Sequence, residues 1–338
     1  MTYSEAINEA LDIEMGLDET VVLFGEDVAG GAGSPGEDDA WGGSFAVTGG
    51  LLAKYPGRVL DTPISEAAIV GAAAGAAVSG LKPIGEVMFS DFMTICADQL
   101  VNQAAKFRYM FGGKVNTPMV IRSTYGAGQQ TAAQHSQTNY GMFAGVPGLK
   151  VVVPATPHDV KGLLIEAIQD PDPVAFFEHK LLYDEQRGEV PEGRYTIPFG
   201  EADIAREGDD VTVVAIGRMR VLALEAAAAL ADEGIECEVI DPRTISPLDE
   251  DTIFDGVEST SRLVVVDEGT PYCGMAADIV ARVTVNCFDF LDASPRMVTA
   301  PHSPVPFSPE LERLYLPDAA KIADAVRATV GKKAAAAS

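Results

Sequence analysis

Short apolar runs alternate with longer stretches of helical character along the whole chain, and that alternation leaves few folds open. Thr20-Val-Val-Leu-Phe-Gly25, Arg58-Val-Leu-Asp61, the run 83–89, Pro118-Met-Val-Ile-Arg122, Leu149-Lys-Val-Val-Val-Pro154 and Val174-Ala-Phe-Phe-Glu178 read as strands. Helical patterns lie between them at 65–79, 91–110 and 158–169, after an acidic amphipathic helix near the amino terminus. Strands that are apolar at successive positions are buried on both faces, so the spacing predicts a mostly parallel sheet with helices on either side.

A second alternation starts at Val211-Thr-Val-Val-Ala-Ile216. It continues through a helix over 219–233 stopped by Gly234, strands at Glu236-Cys-Glu-Val-Ile240, Arg262-Leu-Val-Val-Val-Asp267 and Met297-Val-Thr, helices over 248–257 and 274–287, and a closing helix from Asp318. Between the halves, over 183–199, Pro191, Gly193, Pro198 and several charges cluster without periodicity. The chain of 338 residues is long enough for two cores. We therefore expect an α/β fold with domains at 1–186 and 201–331, a linker at 187–200 and a frayed tail at 332–338. The halves show no convincing repeat of one another.

Lys and Arg total 24 against 50 Asp and Glu, a formal charge of −26. Such an excess argues against sequence-independent binding to nucleic acid or to an anionic membrane. Cys96, Cys237, Cys273 and Cys287 have no metal-site or disulfide spacing, so reduced, mostly buried thiols are expected. With no basic leader or signal-type apolar core at the amino terminus, the expected location is the cytoplasm.

The stretch 60–92 carries the densest signals. Ser65 follows Pro63 as an N-cap, Glu66 falls in the first helical turn, and Gly80 ends the helix. Glu66 has two readings at this point, a carboxylate stabilising the helix dipole or a functional acid. Ala67, Gly71, Gly75 and Ser79 recur every four residues as a stripe of small side chains, suited to tight packing within the domain or across a subunit boundary. The Gly-rich loop over 28–43 lacks the Lys-Ser/Thr of a P-loop and is acidic throughout, so a loop near a site or an interface is expected there.

Of the four histidines, His158 at a helix start is explained by capping or exposure, His179 beside Glu178 and Lys180 reads as a surface residue, and His302 is ambiguous. His135 is delivered by a small-residue loop after a strand, where α/β sheets place their sites. No H-E-x-x-H, G-x-S-x-G or P-loop is present. The residues alone supply a candidate set of Glu66, Phe92 and His135, and name no reaction.

Read together, Asp61-Thr-Pro-Ile-Ser-Glu66, Phe89-Ser-Asp-Phe92, Ala133-Gln-His-Ser-Gln137, Pro147-Gly-Leu-Lys-Val-Val-Val-Pro154 and Val305-Pro-Phe resemble a known family. They are similar to the beta subunit of the thiamine-diphosphate-dependent first component of 2-oxo acid and acetoin dehydrogenase complexes. The likeness runs through nearly the whole chain, and Gly25-Glu-Asp-Val-Ala-Gly30 with Asp39-Ala-Trp-Gly-Gly43 resembles the acetoin branch most. It implies a transketolase-like pyrimidine-binding domain followed by a transketolase C-terminal-like domain. The reaction implied is cleavage of acetoin, or decarboxylation of pyruvate or a branched-chain 2-oxo acid, with reductive acylation of lipoamide.

The resemblance implies that Glu66 hydrogen-bonds a ring nitrogen of the cofactor's aminopyrimidine, that Phe92 lies against that ring and that Ile64 meets it through the backbone. His135 matches a histidine that assists proton transfer or the attack on lipoamide. Potassium is implied at positions matching Met119, Ala167, Ile168, Asp170 and Asp172, although Asp172 stands where relatives often carry Asn. The Gly-Asp-Gly motif that holds diphosphate and magnesium in such systems sits on a separate alpha subunit, and it is absent here. The expected partners are that alpha subunit and a second beta subunit in an α2β2 assembly, and a lipoyl-bearing dihydrolipoamide acyltransferase. A non-catalytic assembly subunit and a self-sufficient transketolase-like enzyme are the competing readings.

Overall fold

Each apolar run of the sequence needs cover on both faces, and in the computed structural model these runs are the strands of two sheets. The structure describes residues 1–30 and 42–334, so most of the expected Gly-rich loop and the end of the tail lie outside the described residues. In chain order the first elements are α1 (Tyr3–Leu17), β1 (Val21–Gly25), α2 (Leu51–Lys54), β2 (Val59–Asp61), α3 (Glu66–Val78) and β3 (Lys82–Phe89). Then come α4 (Ala105–Met110), β4 (Val120–Tyr125), α5 (Tyr140–Ala144), β5 (Lys150–Val152), α6 (Pro157–Gln169), β6 (Val174–His179) and α7 (Leu182–Glu185). The remainder is β7 (Asp203–Arg206), β8 (Val211–Ala215), α8 (Met219–Ala231), β9 (Cys237–Asp241), β10 (Thr244–Ser246), α9 (Glu250–Thr260), β11 (Leu263–Asp267), α10 (Met275–Asn286), β12 (Arg296–Thr299), α11 (Pro309–Tyr315) and α12 (Ala319–Ala334).

The chain divides into two compact units, one of residues 1–125 with 142–199 and one of 126–141 with 200–338. Six strands of the first unit lie in the order β5-β6-β4-β3-β1-β2, and every neighbouring pair is parallel. All six side chains of β4 and of β6 are buried, as parallel strands between two helical layers must be. Helix α3 lays Ile69, Val70, Ala73, Ala74 and Ala77 on the sheet. Gly85 of β3 lets it come close, since a Cβ there would stand 2.9 Å from Ile121 Cδ1 and 3.5 Å from Ile69 Cγ2. The stretch expected as a linker is strapped to this unit: Gly188 N donates to Met1 O, Arg194 pairs with Glu14, and Tyr195 Oη donates to His158 O.

The second unit has the order β12-β11-β8-β9-β7, parallel except for the edge strand β7. Its core joins Val213, Val239, Val264 and Val266 of the strands to Ala223, Ala227 and Leu230 of α8 and Ile322 and Val326 of α12.

The long helix expected over 91–110 is three pieces. Ser90–Thr94 is a 3-10 turn, Asp98–Ala104 has π geometry, and only Ala105–Met110 is regular α-helix. The Asp98 carboxylate accepts from Asn102 and, five residues on, from Gln103, a spacing that fits the wider π turn. Hydrophobic periodicity at 3.6 residues cannot register that change.

Candidate functional site

In a parallel sheet all strands deliver their carboxyl ends to one edge, so whatever follows β1, β2 and β3 gathers there. After β1 comes Glu26, after β2 the segment 62–65 leading into α3, and after β3 the 3-10 turn carrying Phe92. Ser65 is the N-cap of α3 by position but makes no side-chain capping bond, and Glu66 opens the first turn, half-buried. Gly80, with φ +99°, ends the helix as expected. Ile64 is 73 % exposed, and the Thr62 hydroxyl is buried with no partner among the described residues.

Glu66 belongs to a crowd of acids at this edge. Burial raises the Glu26 carboxyl above its ordinary range, and the charges of Asp27 and Glu66 add to the rise. On the other side the charge of Glu66 reaches the Cys96 thiol, which burial pushes up to about 12. Cys96 packs back on the 3-10 turn, its Sγ 3.3 Å from Met93 O. Phe92 lies on that same turn, and its ring stands edge-on to Phe89 at 5.8 Å. Phe45 continues the aromatic row to Tyr183 and Tyr3.

Behind this edge lies a buried ionic group that the sequence pattern did not single out. Arg122 of β4 pairs with Glu178 of β6 through two hydrogen bonds and with Glu86 of β3 through one of 2.7 Å. Tyr183 Oη donates to Glu178 at 2.5 Å. Register sets this up, because Glu86 and Arg122 are directly opposed Cα partners. Gly25 makes room beside it: a Cβ there would lie 2.9 Å from the Glu86 Cβ. Burial raises Glu86 above the usual carboxylate range despite the nearby guanidinium. Burial alone lowers Arg122, but Glu178 and Glu86 reverse the effect and hold it raised. The available signal was a charge in each of three apolar strands, since such charges need buried partners of opposite sign.

His179 corrects the sequence expectation. It is fully buried, with its ring edge-on to Tyr125 at 4.9 Å and Nδ1 accepting from Leu181 N. Its neighbours Glu178 and Lys180 are equally buried, because β6 is an interior strand whose charges are answered within the unit. His158 stacks on Tyr195 at 5.1 Å, and the cap of α6 is Thr156.

His135 belongs to the second unit, whereas Ile64, Glu66 and Phe92 belong to the first. Its segment is pinned by carboxylates. Ala127 N donates to Glu268, Gly128 N and Gln130 N donate to Glu312, and Tyr140 Oη donates to Asp267. Burial raises the Asp267 carboxyl in spite of Tyr140 and the amides of Gly269 and Ala276.

The residues matching a potassium site surround the turn 169–173. Asp170 receives Lys150 Nζ at 2.5 and 2.6 Å, and Asp172 pairs with Arg108. The Met119 carbonyl accepts from Val174 N, and that of Ala167 from Asp170 N. Both carboxylates already face cations, so a metal ion here fits only main-chain carbonyls. Among the described residues no cluster of three or more His, Cys, Asp or Glu side chains could hold a metal, and no helix is long and apolar enough to cross a membrane.

Comparison with known proteins adds the context. Residues 1–186 match the model for the transketolase pyrimidine binding domain, and residues 200–322 that for the transketolase C-terminal domain. The beta subunit of acetoin:2,6-dichlorophenolindophenol oxidoreductase from Cupriavidus necator is 61% identical over 96% of this chain and 96% of its own. The Bacillus subtilis subunit of the same description is 56% identical over 99% and 98%. The mitochondrial pyruvate dehydrogenase E1 component subunit beta-1 of Arabidopsis thaliana is 44% identical over 97% and 88%. Among solved structures, a split gene transketolase described as an inactive beta4 tetramer superposes with a TM-score of 0.77 at 22% identity, over 98% of this chain and 99% of that one, a likeness of fold.

Proposed function

The chain belongs to the transketolase-like family of beta subunits that includes those of acetoin:2,6-dichlorophenolindophenol oxidoreductase and of the pyruvate dehydrogenase E1 component, and from that premise we propose that it is the beta subunit of a thiamine-diphosphate-dependent acetoin dehydrogenase. The observation that carries this reading is Glu66, half-buried in the first turn of α3 among further acids at the carboxyl edge of a parallel sheet, with Phe92 on the 3-10 turn that follows β3. The greater likeness to the acetoin subunits supports acetoin over pyruvate as donor.

An acid-rich edge suits a cationic heterocycle that must gain and lose a proton. Bound thiamine diphosphate supplies an electron sink for breaking the bond beside a carbonyl. Glu66 would accept a hydrogen bond from the aminopyrimidine and hold a proton on it, with Phe92 placed to lie against that ring and Ile64 to present its main chain. His135 moves a proton at the acceptor end, a task suited to imidazole. The diphosphate and its magnesium are held by an alpha subunit, because this chain has no Gly-Asp-Gly.

The assembly is an α2β2 heterotetramer that passes its acyl group to a lipoyl-bearing dihydrolipoamide acyltransferase, making the whole an oxidoreductase. The outward stripe on α3 supports subunit packing there: a Cβ at Gly75 would meet nothing within 4 Å, and one at Gly71 only Gln99. Potassium at the turn after α6 would rest on main-chain carbonyls of Met119, Ala167, Ile168, Asp170 and Asp172, with the two carboxylates left to Lys150 and Arg108.

Glu66→Ala in the chain assembled with its alpha partner tests the reading. Acetoin-dependent reduction of a dye or lipoyl acceptor should fall by about a hundredfold or more. Undiminished turnover would leave a non-catalytic assembly subunit as the better reading, and turnover by this chain alone would remove the need for a partner.

A further inference from the structure

The segment that carries His135 holds an unusual backbone. Gly126 and Gly128 have φ of +93° and +112°, and Gln130 and Ala132, which are not glycine, have φ of +56° and +58°. Non-glycine residues keep left-handed conformations only where their surroundings dictate them. One side chain holds two of these loop amides at once. The carboxylate of Glu312, which is 3 % exposed, accepts Gly128 N at 2.8 Å and Gln130 N at 3.1 Å, two residues apart along the loop. With left-handed residues at every second position, the amides of Gly128 and Gln130 turn toward one point, a concavity that fits an anion. In this loop the anion is the protein's own.

The rest of the segment passes that anchor on to His135. Thr131, next to Gln130, donates its hydroxyl to His135 O at 3.0 Å and shares a 2.7 Å hydrogen bond with Ser136. His135 N reaches back to Ala132 O at 3.5 Å. Gly126 N closes the base of the loop on Gln137 O. Between Glu312 and the histidine there is one continuous run of contacts, all within the second unit.

We propose that Glu312 is a positioning residue, whose buried carboxylate fixes the loop 126–137 in the conformation that presents His135 for proton transfer. The inference rests on the catalytic reading of His135. Glu312 comes from α11, far along the sequence from the loop, so α11 and the histidine are mechanically one piece.

The test uses the chain assembled with its alpha partner and compares Glu312→Ala, Glu312→Gln, His135→Ala and the Glu312→Ala/His135→Ala double variant. Hydrogen exchange read on peptides covering 126–141 should accelerate about tenfold or more in Glu312→Ala, and less in Glu312→Gln, which retains an acceptor oxygen. Acetoin turnover should fall with Glu312→Ala, recover most of the loss with Glu312→Gln, and be no lower in the double variant than in His135→Ala alone. A merely structural defect would instead multiply with the His135 loss. Unchanged exchange in Glu312→Ala overturns the anchoring, and a multiplicative double variant overturns the link to His135. Undiminished turnover in His135→Ala overturns the catalytic reading of the histidine, and exchange alone then decides the anchoring.

Discussion

Arg122 and Glu178 meet through two parallel hydrogen bonds, Nε to Oε1 at 2.7 Å and Nη2 to Oε2 at 2.8 Å, between adjacent buried strands. Each is 1 % exposed. Glu86 takes the remaining Nη1, so one guanidinium answers two carboxylates in the middle of the sheet.

Arg122→Ala would leave both acids buried and unanswered. The expected loss is about 3–5 kcal/mol, the cost of stranding a buried charge. Denaturant unfolding of the variant against the parent measures it; a loss under about 1 kcal/mol would mean that water or protonation relieves the acids at little cost.

Asp18 ties the start of β1 to the start of β3. Its carboxylate accepts from the Thr20 hydroxyl and amide and pairs with Lys82 at 3.0 Å, which together hold its pKa down to about 2 from an ordinary 3.8. A depressed folded pKa stabilises above the unfolded value and ceases to do so as the pH falls through the folded one. Asp18→Asn should therefore flatten the decline of thermal stability between about pH 4 and pH 2. An unchanged slope in that interval would show that other carboxylates set it.

Gly148 combines two constraints. Its φ is +88°, and a Cβ would fall 2.1 Å from the Ala105 carbonyl oxygen. Backbone cannot yield as a flexible side chain can, so Gly148→Ala should destabilise by more than about 2 kcal/mol. Gly57→Ala also forces a left-handed alanine, with φ +81°, but meets nothing within 4 Å. It should cost clearly less, and equal losses at the two sites would assign the whole effect to φ.

Phe92→Ala should weaken thiamine diphosphate in the assembled protein by about tenfold or more, since a ring-sized contact with the aminopyrimidine would be lost. Titration of the cofactor against turnover gives the apparent affinity. No change would place the heterocycle elsewhere on this edge.

Several elements in the second half of the chain were legible almost to the residue, whereas β7, β10 and α11 were not expected. Strand β11 spans Leu263–Asp267 against an expected 262–267, and α10 spans Met275–Asn286 against 274–287, because long apolar runs and clear stops leave little choice of period. The helix that opens on Glu66 was equally readable, since Pro63, Ser65 and Gly80 bracket it in the sequence itself. The pieces at 90–110 were not legible, because hydrophobic periodicity does not distinguish π geometry at Asp98–Ala104 from an α-helix. Nor was the burial of His179, which depends on β6 being an interior strand.

By itself the sequence determined the two α/β units, the parallel sheets and the placing of Glu66 at a helix start, for these follow from local apolar spacing and from residues that begin and end helices. Only the tertiary structure decided which charges answer one another: Arg122 with Glu86 and Glu178, and Glu312 with the amides beside His135. The physical reason is range. Spacing along a chain reports which face a residue turns inward, whereas the partner of a buried charge or amide is set by strand register and loop packing between segments distant in sequence.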